Sequence, residues 1–190
     1  MQYKEIEVRF LEIKKEELLN KLKDLGAQDK GSDTLKETIF YDDAKKFIDE
    51  HKFIRIRENK NGALLTYKQH MSKGKDISGI DDVDEVETKV DDPEAMKVML
   101  EKVGFEAFRE QEKHRHSFVL DEVMIEIDEW PKIPVYMEME GPSEEALKAI
   151  AEKLGLNWKD AYFGSARDVI EKVYNMPVME YKHFTFSKVG

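Results

Sequence analysis

The sequence contains no cysteine. That excludes a disulfide framework and a thiolate zinc site. No apolar run is long enough to span a bilayer, and the opening residues carry no apolar stretch of signal-peptide type. A cytoplasmic location with no membrane partner is therefore expected. Positive charge is in the minority, with 31 Lys and Arg against 41 Asp and Glu, for a formal net charge of −10. This balance argues against a nucleic-acid duplex as the partner. It suits divalent cations, which can recruit an anionic ligand. What is present is 41% hydrophobic and 38% charged residues in 190 positions, enough to bury a core and too apolar to stay disordered. One domain over 1–190 is expected, with 142–190 forming C-terminal helices and a tail.

The first patterned stretch is Glu5-Ile6-Glu7-Val8-Arg9, inside a strand expected over residues 2–12. On a strand Glu5, Glu7 and Arg9 share one face and Ile6, Val8 and Phe10 the other. A helix follows from Lys14 to Leu25, with Leu18, Leu19, Leu22 and Leu25 as its apolar stripe. Alternation then predicts strands over 34–41, 53–58, 63–70, 83–90, 106–119, 123–130 and 135–140. Asn59 to Gly62 has the composition of a hairpin turn, and His70 to Asp82 that of a mobile loop. Asp92-Pro93 opens a helix that runs to Val103, Gly141-Pro142-Ser143 opens another, and a further helix is expected over Trp158–Tyr174.

The strand faces carry a repeated theme. Glu-x-Glu recurs as Glu85, Glu87 and as Glu138, Glu140, with basic pairs between at Arg55, Arg57 and at Lys113, Arg115. Lys68 shares a face with Thr66, and Asp128 with Glu126. Opposite each charged face lie Ile, Val, Leu, Met and Phe, and the amphipathic helices need that apolar surface. Two α+β architectures fit. In one, an open antiparallel sheet turns its charges to water. In the other, an eight-stranded antiparallel β-barrel closes with the charges inside and the helices outside. A lumen full of carboxylates needs Lys, Arg or divalent cations to offset their repulsion. Arginine pairs grip phosphate oxygens in fork geometry, and paired carboxylates suit Mg²⁺ or Mn²⁺.

The ordered set Glu5-Ile6-Glu7-Val8-Arg9, Arg55-Ile56-Arg57, Leu65-Thr66-Tyr67-Lys68, Glu85-Val86-Glu87, Lys113-His114-Arg115, Asp128 and Glu138-Met139-Glu140 resembles the CYTH superfamily, the triphosphate tunnel metalloenzymes, and is most similar to its class IV adenylyl cyclase-like branch. The resemblance spans residues 3–142. It implies the closed barrel, and an enzyme acting on a triphosphate with Mg²⁺ or Mn²⁺. The implied reaction is conversion of ATP to cyclic AMP and pyrophosphate, with hydrolysis of tripolyphosphate or thiamine triphosphate as the alternative, and a non-catalytic polyphosphate-binding module as a third. It implies a catalytic set of Glu5, Glu7, Arg9, Lys68, Glu138 and Glu140. Metal ligands would be Glu5, Glu7, Asp128, Glu138 and Glu140. The triphosphate grip would be Arg9, Arg55, Arg57, Lys68, Lys113 and Arg115, with Glu85 and Glu87 as a supporting acidic pair. The family signature usually reads Glu-x-Glu-x-Lys, and Arg9 replaces that lysine, exchanging a compact ammonium for a planar fork. A monomer or homodimer fits this reading. His114 and His116 fall on the parity opposite Lys113 and Arg115, and so outside the tunnel. The Lys-rich stretch 68–75 is either a solvated loop or a flap over the substrate.

Overall fold

The computed structural model describes residues 6–70 and 83–190. Strand β1 (Ile6–Phe10) leads into helix α1 (Lys15–Asp24), then β2 (Gln28–Asp42), a short α2 (Lys46–Asp49), β3 (Lys52–Asn59) and β4 (Gly62–His70). Next come β5 (Val83–Val90), α3 (Pro93–Lys102), β6 (Phe105–Leu120), β7 (Val123–Glu129), β8 (Tyr136–Gly141) and α4 (Glu144–Lys153). The strands form an antiparallel sheet in the order β1-β8-β7-β6-β2-β3-β4-β5, and a two-residue β9 (His183–Phe184) pairs parallel with β6.

Within the described residues the expected strands form, and β2, β3, β4 and β6 are longer than alternation suggested, β2 most of all. β2 reaches back to Gln28 because Gln28–Asp33 pair with the far half of β6, with an irregularity at Asp29/Gly31. The helices start where polar caps were read: the Asp92 side chain accepts from Ala95 N–H, and that of Ser143 from Ala146 N–H.

The apolar parity of the strands makes the core. Val8, Phe10, Phe118, Ile125, Ile127, Met137 and Met139 are buried against Leu18 and Leu22 of α1 and against Leu147, Ile150 and Ala151 of α4. Helix α3 covers the other half of the sheet through Leu100, beside Phe40 and Ile56. Helices therefore occupy one face, and the charged parity is left on the other.

Closure into a hydrogen-bonded barrel, expected from the resemblance, is not what the described residues form. Backbone pairing ends at β1 on one side and β5 on the other. The free edge of β1 at Arg9 is taken by Tyr162: Arg9 N–H donates to the Tyr162 carbonyl at 3.0 Å, and Tyr162 N–H to the Arg9 carbonyl at 2.8 Å. The sheet nevertheless curls around its charged face. Lys68 Nζ of β4 lies 3.5 Å from Glu7 of β1, although these strands are far apart in the sheet order.

The helix expected over Trp158–Tyr174 is also broken. A 3₁₀ turn, Trp158–Asp160, ends before the extended stretch that pairs with Arg9, and helix resumes only at α5 (Ala166–Asp168), which runs on as a π-turn over Val169–Val173. Ser165 restarts it with a capping box against Asp168. Gly164 sits under the Tyr162 ring, where an added Cβ would come within 2.5 Å of ring carbon. Among the described residues no helix is long and apolar enough to cross a membrane.

Candidate active site

Strand register brings the charged residues together. Across β1–β8, Glu7 faces Glu140 and Arg9 faces Glu138. Across β7–β8, Glu126 faces Glu138, and across β6–β7, Arg115 faces Asp128. Across β2–β3, Glu37 faces Arg57, and across β4–β5, Lys68 faces Glu85 and Thr66 faces Glu87. Glu5 lies outside the described residues, as do residues 71–75 of the stretch 68–75 expected as loop or flap and the rest of the loop expected up to Asp82.

The acidic side of the face is built around two arginines. Arg9, 5% exposed, places Nη2 at 2.9 Å from Glu7 and 2.5 Å from Glu138, and its Nη1 donates to the Gly164 carbonyl. Burial opposes the Arg9 charge, but Glu138 and Glu7 outweigh it and hold the group firmly protonated. Arg115 contacts Glu126, lies 3.7 Å from Glu138, and donates to both oxygens of Asp128 at 2.6 Å. Asp128 is fully buried and also accepts from Lys113 Nζ at 2.7 Å. Burial alone would push the Asp128 and Glu138 carboxyls up. Arg115 and Lys113 around the first, and chiefly Arg9 around the second, bring both below the usual range. Glu126 goes the other way, because burial and the facing Glu138 exceed the pull of Arg115. Lys113 is lowered, first by burial and then by Arg115 beside it.

The basic side comes from β3 and β4. Arg57 Nε donates to Glu37 at 2.8 Å, and Arg55 Nη1 lies 3.3 Å from the same oxygen. Arg55 Nη2 reaches toward Glu85 and Glu87 at 3.6 and 3.8 Å. Lys68 Nζ bridges Glu85 at 3.0 Å and Glu7 at 3.5 Å, so it stands between the basic strands and the acidic ones. Burial lowers Lys68, but Glu7 and Glu85 more than restore it, and its pKa rises. His114 and His116 fall on the opposite parity, where His114 bonds Thr34 and stacks on Phe186 while His116 meets Asp29.

Several residues on this face were given no role in the sequence reading. Glu37 is 4% exposed and sits among Leu35, Ile39 and Tyr41, so its parity looked apolar. Its signal was a lone carboxylate on a strand neighbouring an Arg-x-Arg strand. Arg109 shares the parity of Lys113 and Arg115, and its Nη1 donates to the Val178 carbonyl at 2.9 Å. Tyr136, fully buried, accepts at its hydroxyl from Trp130 Nε1 at 2.8 Å. Val178, Phe184, Val169 and Ile170 pack with Trp130 and Tyr136, so the C-terminal segment covers one end of the charged face.

Whether this face suits a divalent cation turns on its donors. Glu7, Glu138 and Glu140 are hard oxygen ligands on two adjacent strands, of the kind Mg²⁺ and Mn²⁺ take. Among the described residues no three acidic or imidazole side chains are gathered closely enough to hold a metal, because Arg9, Arg115 and Lys68 draw the carboxylates onto themselves. Among the described residues, the buried guanidinium nitrogens Arg9 Nε and Arg55 Nε have no hydrogen-bond partner. An anion carried by the cation would supply acceptors for both. The donor set and the orphaned donors fit a cation–polyphosphate pair.

The strands thus form a curled antiparallel sheet with helices on one face and rows of acidic and basic residues on the other. Residues 3–174 match the CYTH domain, and the chain belongs to that family. Its members are triphosphate tunnel metalloenzymes, in general enzymes acting on triphosphates. No curated protein matches the sequence. Among solved structures, the PH1012 protein of Pyrococcus horikoshii shares 24% identity at a TM-score of 0.69, covering 85% of this chain and 96% of that one. A Vibrio parahaemolyticus protein described as a candidate adenylate cyclase shares 18% identity at a TM-score of 0.70, covering 90% and 99%. A Hippeastrum protein described as a candidate adenylyl cyclase with a dominant triphosphatase activity shares 15% at 0.63, covering 90% and 95%. At these identities the likeness is one of fold.

Proposed function

We propose that the chain is a divalent-cation-dependent enzyme that binds a linear triphosphate along its charged face and converts ATP to cyclic AMP and pyrophosphate. The observation that carries the triphosphate reading is the pair of buried, unpartnered donors, Arg9 Nε and Arg55 Nε. Leaving such a donor unsatisfied costs about 1–3 kcal/mol or more when it is charged, and a phosphate oxygen removes that cost. Arg9, Arg55, Arg57, Lys68, Lys113 and Arg115 form the grip. Glu7, Glu138 and Glu140, with Glu5 two residues before Glu7 in the sequence, would hold Mg²⁺ or Mn²⁺, and Asp128 supports them by fixing Lys113 and Arg115. When bound, the cation supplies Lewis-acid neutralisation of phosphate oxygens. Glu85 and Glu87 orient Arg55 and Lys68.

In this reaction the ribose 3′-hydroxyl attacks the α-phosphorus and pyrophosphate departs. Charge gathers on the leaving oxygens, where fixed guanidinium and ammonium groups stabilise it without reorganising. A second reading uses the same groups: water attacks a terminal phosphorus and orthophosphate leaves. A protein of similar fold, from Hippeastrum, is described with a dominant triphosphatase activity. The direction in which the substrate lies decides which phosphorus meets the nucleophile. The test is incubation with ATP and Mn²⁺, assayed for cyclic AMP and pyrophosphate, beside orthophosphate release from tripolyphosphate and thiamine triphosphate. Orthophosphate without cyclic AMP overturns the cyclase reading in favour of the second. Tight tripolyphosphate binding with no product under either metal overturns both and leaves a binding module.

A further inference from the structure

Glu37 is the carboxylate that the grip is built on, although it belongs to no Glu-x-Glu pair. Its Oε1 accepts from Arg57 Nε at 2.8 Å and lies 3.3 Å from Arg55 Nη1. Its Oε2 accepts from Gln111 Nε2 at 2.6 Å. Gln111 has no freedom to flip, because its Oε1 accepts from Arg109 Nε at 2.9 Å while its Nε2 serves Glu37. Arg109 is in turn fastened to the Val178 carbonyl at 2.9 Å. A continuous chain of hydrogen bonds thus runs from the C-terminal segment through Arg109 and Gln111 to Glu37 and on to the Arg57 guanidinium, with Arg55 ion-paired to the same carboxylate oxygen. Burial disfavours the ionised carboxyl, yet Arg55, Arg57 and Lys113 outweigh it and Glu37 stays charged. Arg55 and Arg57 sit two residues apart on one strand and repel each other, so a shared anion is needed to hold them side by side.

We propose that Glu37 is a positioning residue for the triphosphate grip, fixing the Arg55 and Arg57 forks before substrate arrives, with Gln111 and Arg109 tying that geometry to the C-terminal segment. This rests on the triphosphate reading given above. A carboxylate that merely offset positive charge would behave differently. Neutralising it would make the face more positive and tighten binding of a polyanion. Neutralising a positioning group loosens the forks and weakens binding, so the two roles differ in sign.

The test is calorimetric titration of tripolyphosphate in the presence of Mn²⁺, with titration of Mn²⁺ alone as the companion. Glu37→Gln keeps the shape and removes the charge. Tripolyphosphate binding should weaken about tenfold, the scale of one well-made charge-assisted contact, with Mn²⁺ binding unchanged. Glu37→Asp keeps the charge but withdraws it by one methylene, and should weaken binding in the same direction. With an active substrate, the rise should fall on KM rather than kcat. Circular dichroism checks the fold. If Glu37→Gln does not fold, Gln111→Leu, which leaves the charge and cuts the link, should weaken binding about threefold. Binding by Glu37→Gln as tight as native or tighter overturns the proposal while leaving the triphosphate reading intact. A native protein that binds no tripolyphosphate overturns both.

Discussion

Replacing Arg9 by alanine removes a guanidinium whose Nη2 lies 2.9 Å from Glu7 and 2.5 Å from Glu138, and whose Nη1 holds the Gly164 carbonyl. The Arg9 and Glu138 side chains are 6% and 10% exposed, so water cannot replace the lost partner, while Glu7 at 23% recovers some hydration. Breaking a buried pair by deleting one member costs about 3–5 kcal/mol, and the partial exposure of Glu7 places Arg9→Ala toward the lower part of that range, about 3–4 kcal/mol. Arg9→Lys keeps a charge between the two carboxylates but cannot also reach Gly164. Its loss is about 1–2 kcal/mol, the worth of one charge-assisted hydrogen bond partly recovered elsewhere. For a chain of this size each kcal/mol moves Tm by about 2–4 °C, so alanine should lower it by about 6–16 °C and lysine by about 2–8 °C. Urea unfolding and thermal melting at neutral pH measure both. The alanine variant leaves Glu7 and Glu138 without their nearest cation, with Lys68 and Arg115 farther off at 3.5 and 3.7 Å, so Mn²⁺ at a hundredfold excess over its Kd should return about 2.7 kcal/mol. The reasoning is refuted if alanine is no worse than lysine, or if Mn²⁺ leaves the alanine variant's melting unmoved.

Three further outcomes follow from the same geometry. Glu37, Asp128 and Glu138 are all held below their ordinary values of 4.5, 3.8 and 4.5, so the stability they confer is complete above those values and is lost as pH falls through the lower folded ones. Glu126, raised, gives a smaller opposing contribution as it protonates; melting scans should therefore be level from neutrality to about pH 5 and drop below it, and a Tm that climbs toward pH 3 would contradict this. Asp128→Asn leaves Lys113 and Arg115, both largely buried, without their shared anion, and should cost about 3–5 kcal/mol in urea unfolding. Leu147→Ala, at a fully buried position on the inner face of α4, should cost about 2–5 kcal/mol with Mn²⁺ and tripolyphosphate binding unchanged.

Strand parity was legible because a side chain's face depends only on its place in an alternation. Ile6, Val8 and Phe10 against Glu7 and Arg9 state both faces of β1, and the structure keeps them apart as read. Glu37 was hidden for the same reason: with Leu35, Ile39 and Tyr41 as its parity neighbours, local pattern assigns it to an apolar row, and only the pairing with Arg57 reveals its role. Closure of the sheet could not be read at all. It depends on which strand meets the free edge of β1, and Tyr162 wins that edge from far along the chain. The broken helix after Trp158 was within reach, since Gly164-Ser165 followed by Asp168 spells an end and a capped restart, but the amphipathic composition on either side masked it.

The pairing of β1 with β8 also dictates an order of events during folding. The hairpins β3–β4 and β6–β7 join neighbours in sequence and can form at once. β1 has no partner until β8 has been made, and its other edge waits longer still, for Tyr162. The strand carrying Glu7 and Arg9 should therefore dock after β8 and before the Tyr162 segment, so that the acidic side of the face is completed after the basic side. Until it does, the outer edge of β8 is an unpaired row of N–H and C=O groups that a strand from another molecule can occupy. Refolding yield should fall with protein concentration for that reason, and the trapped species should be joined through β8.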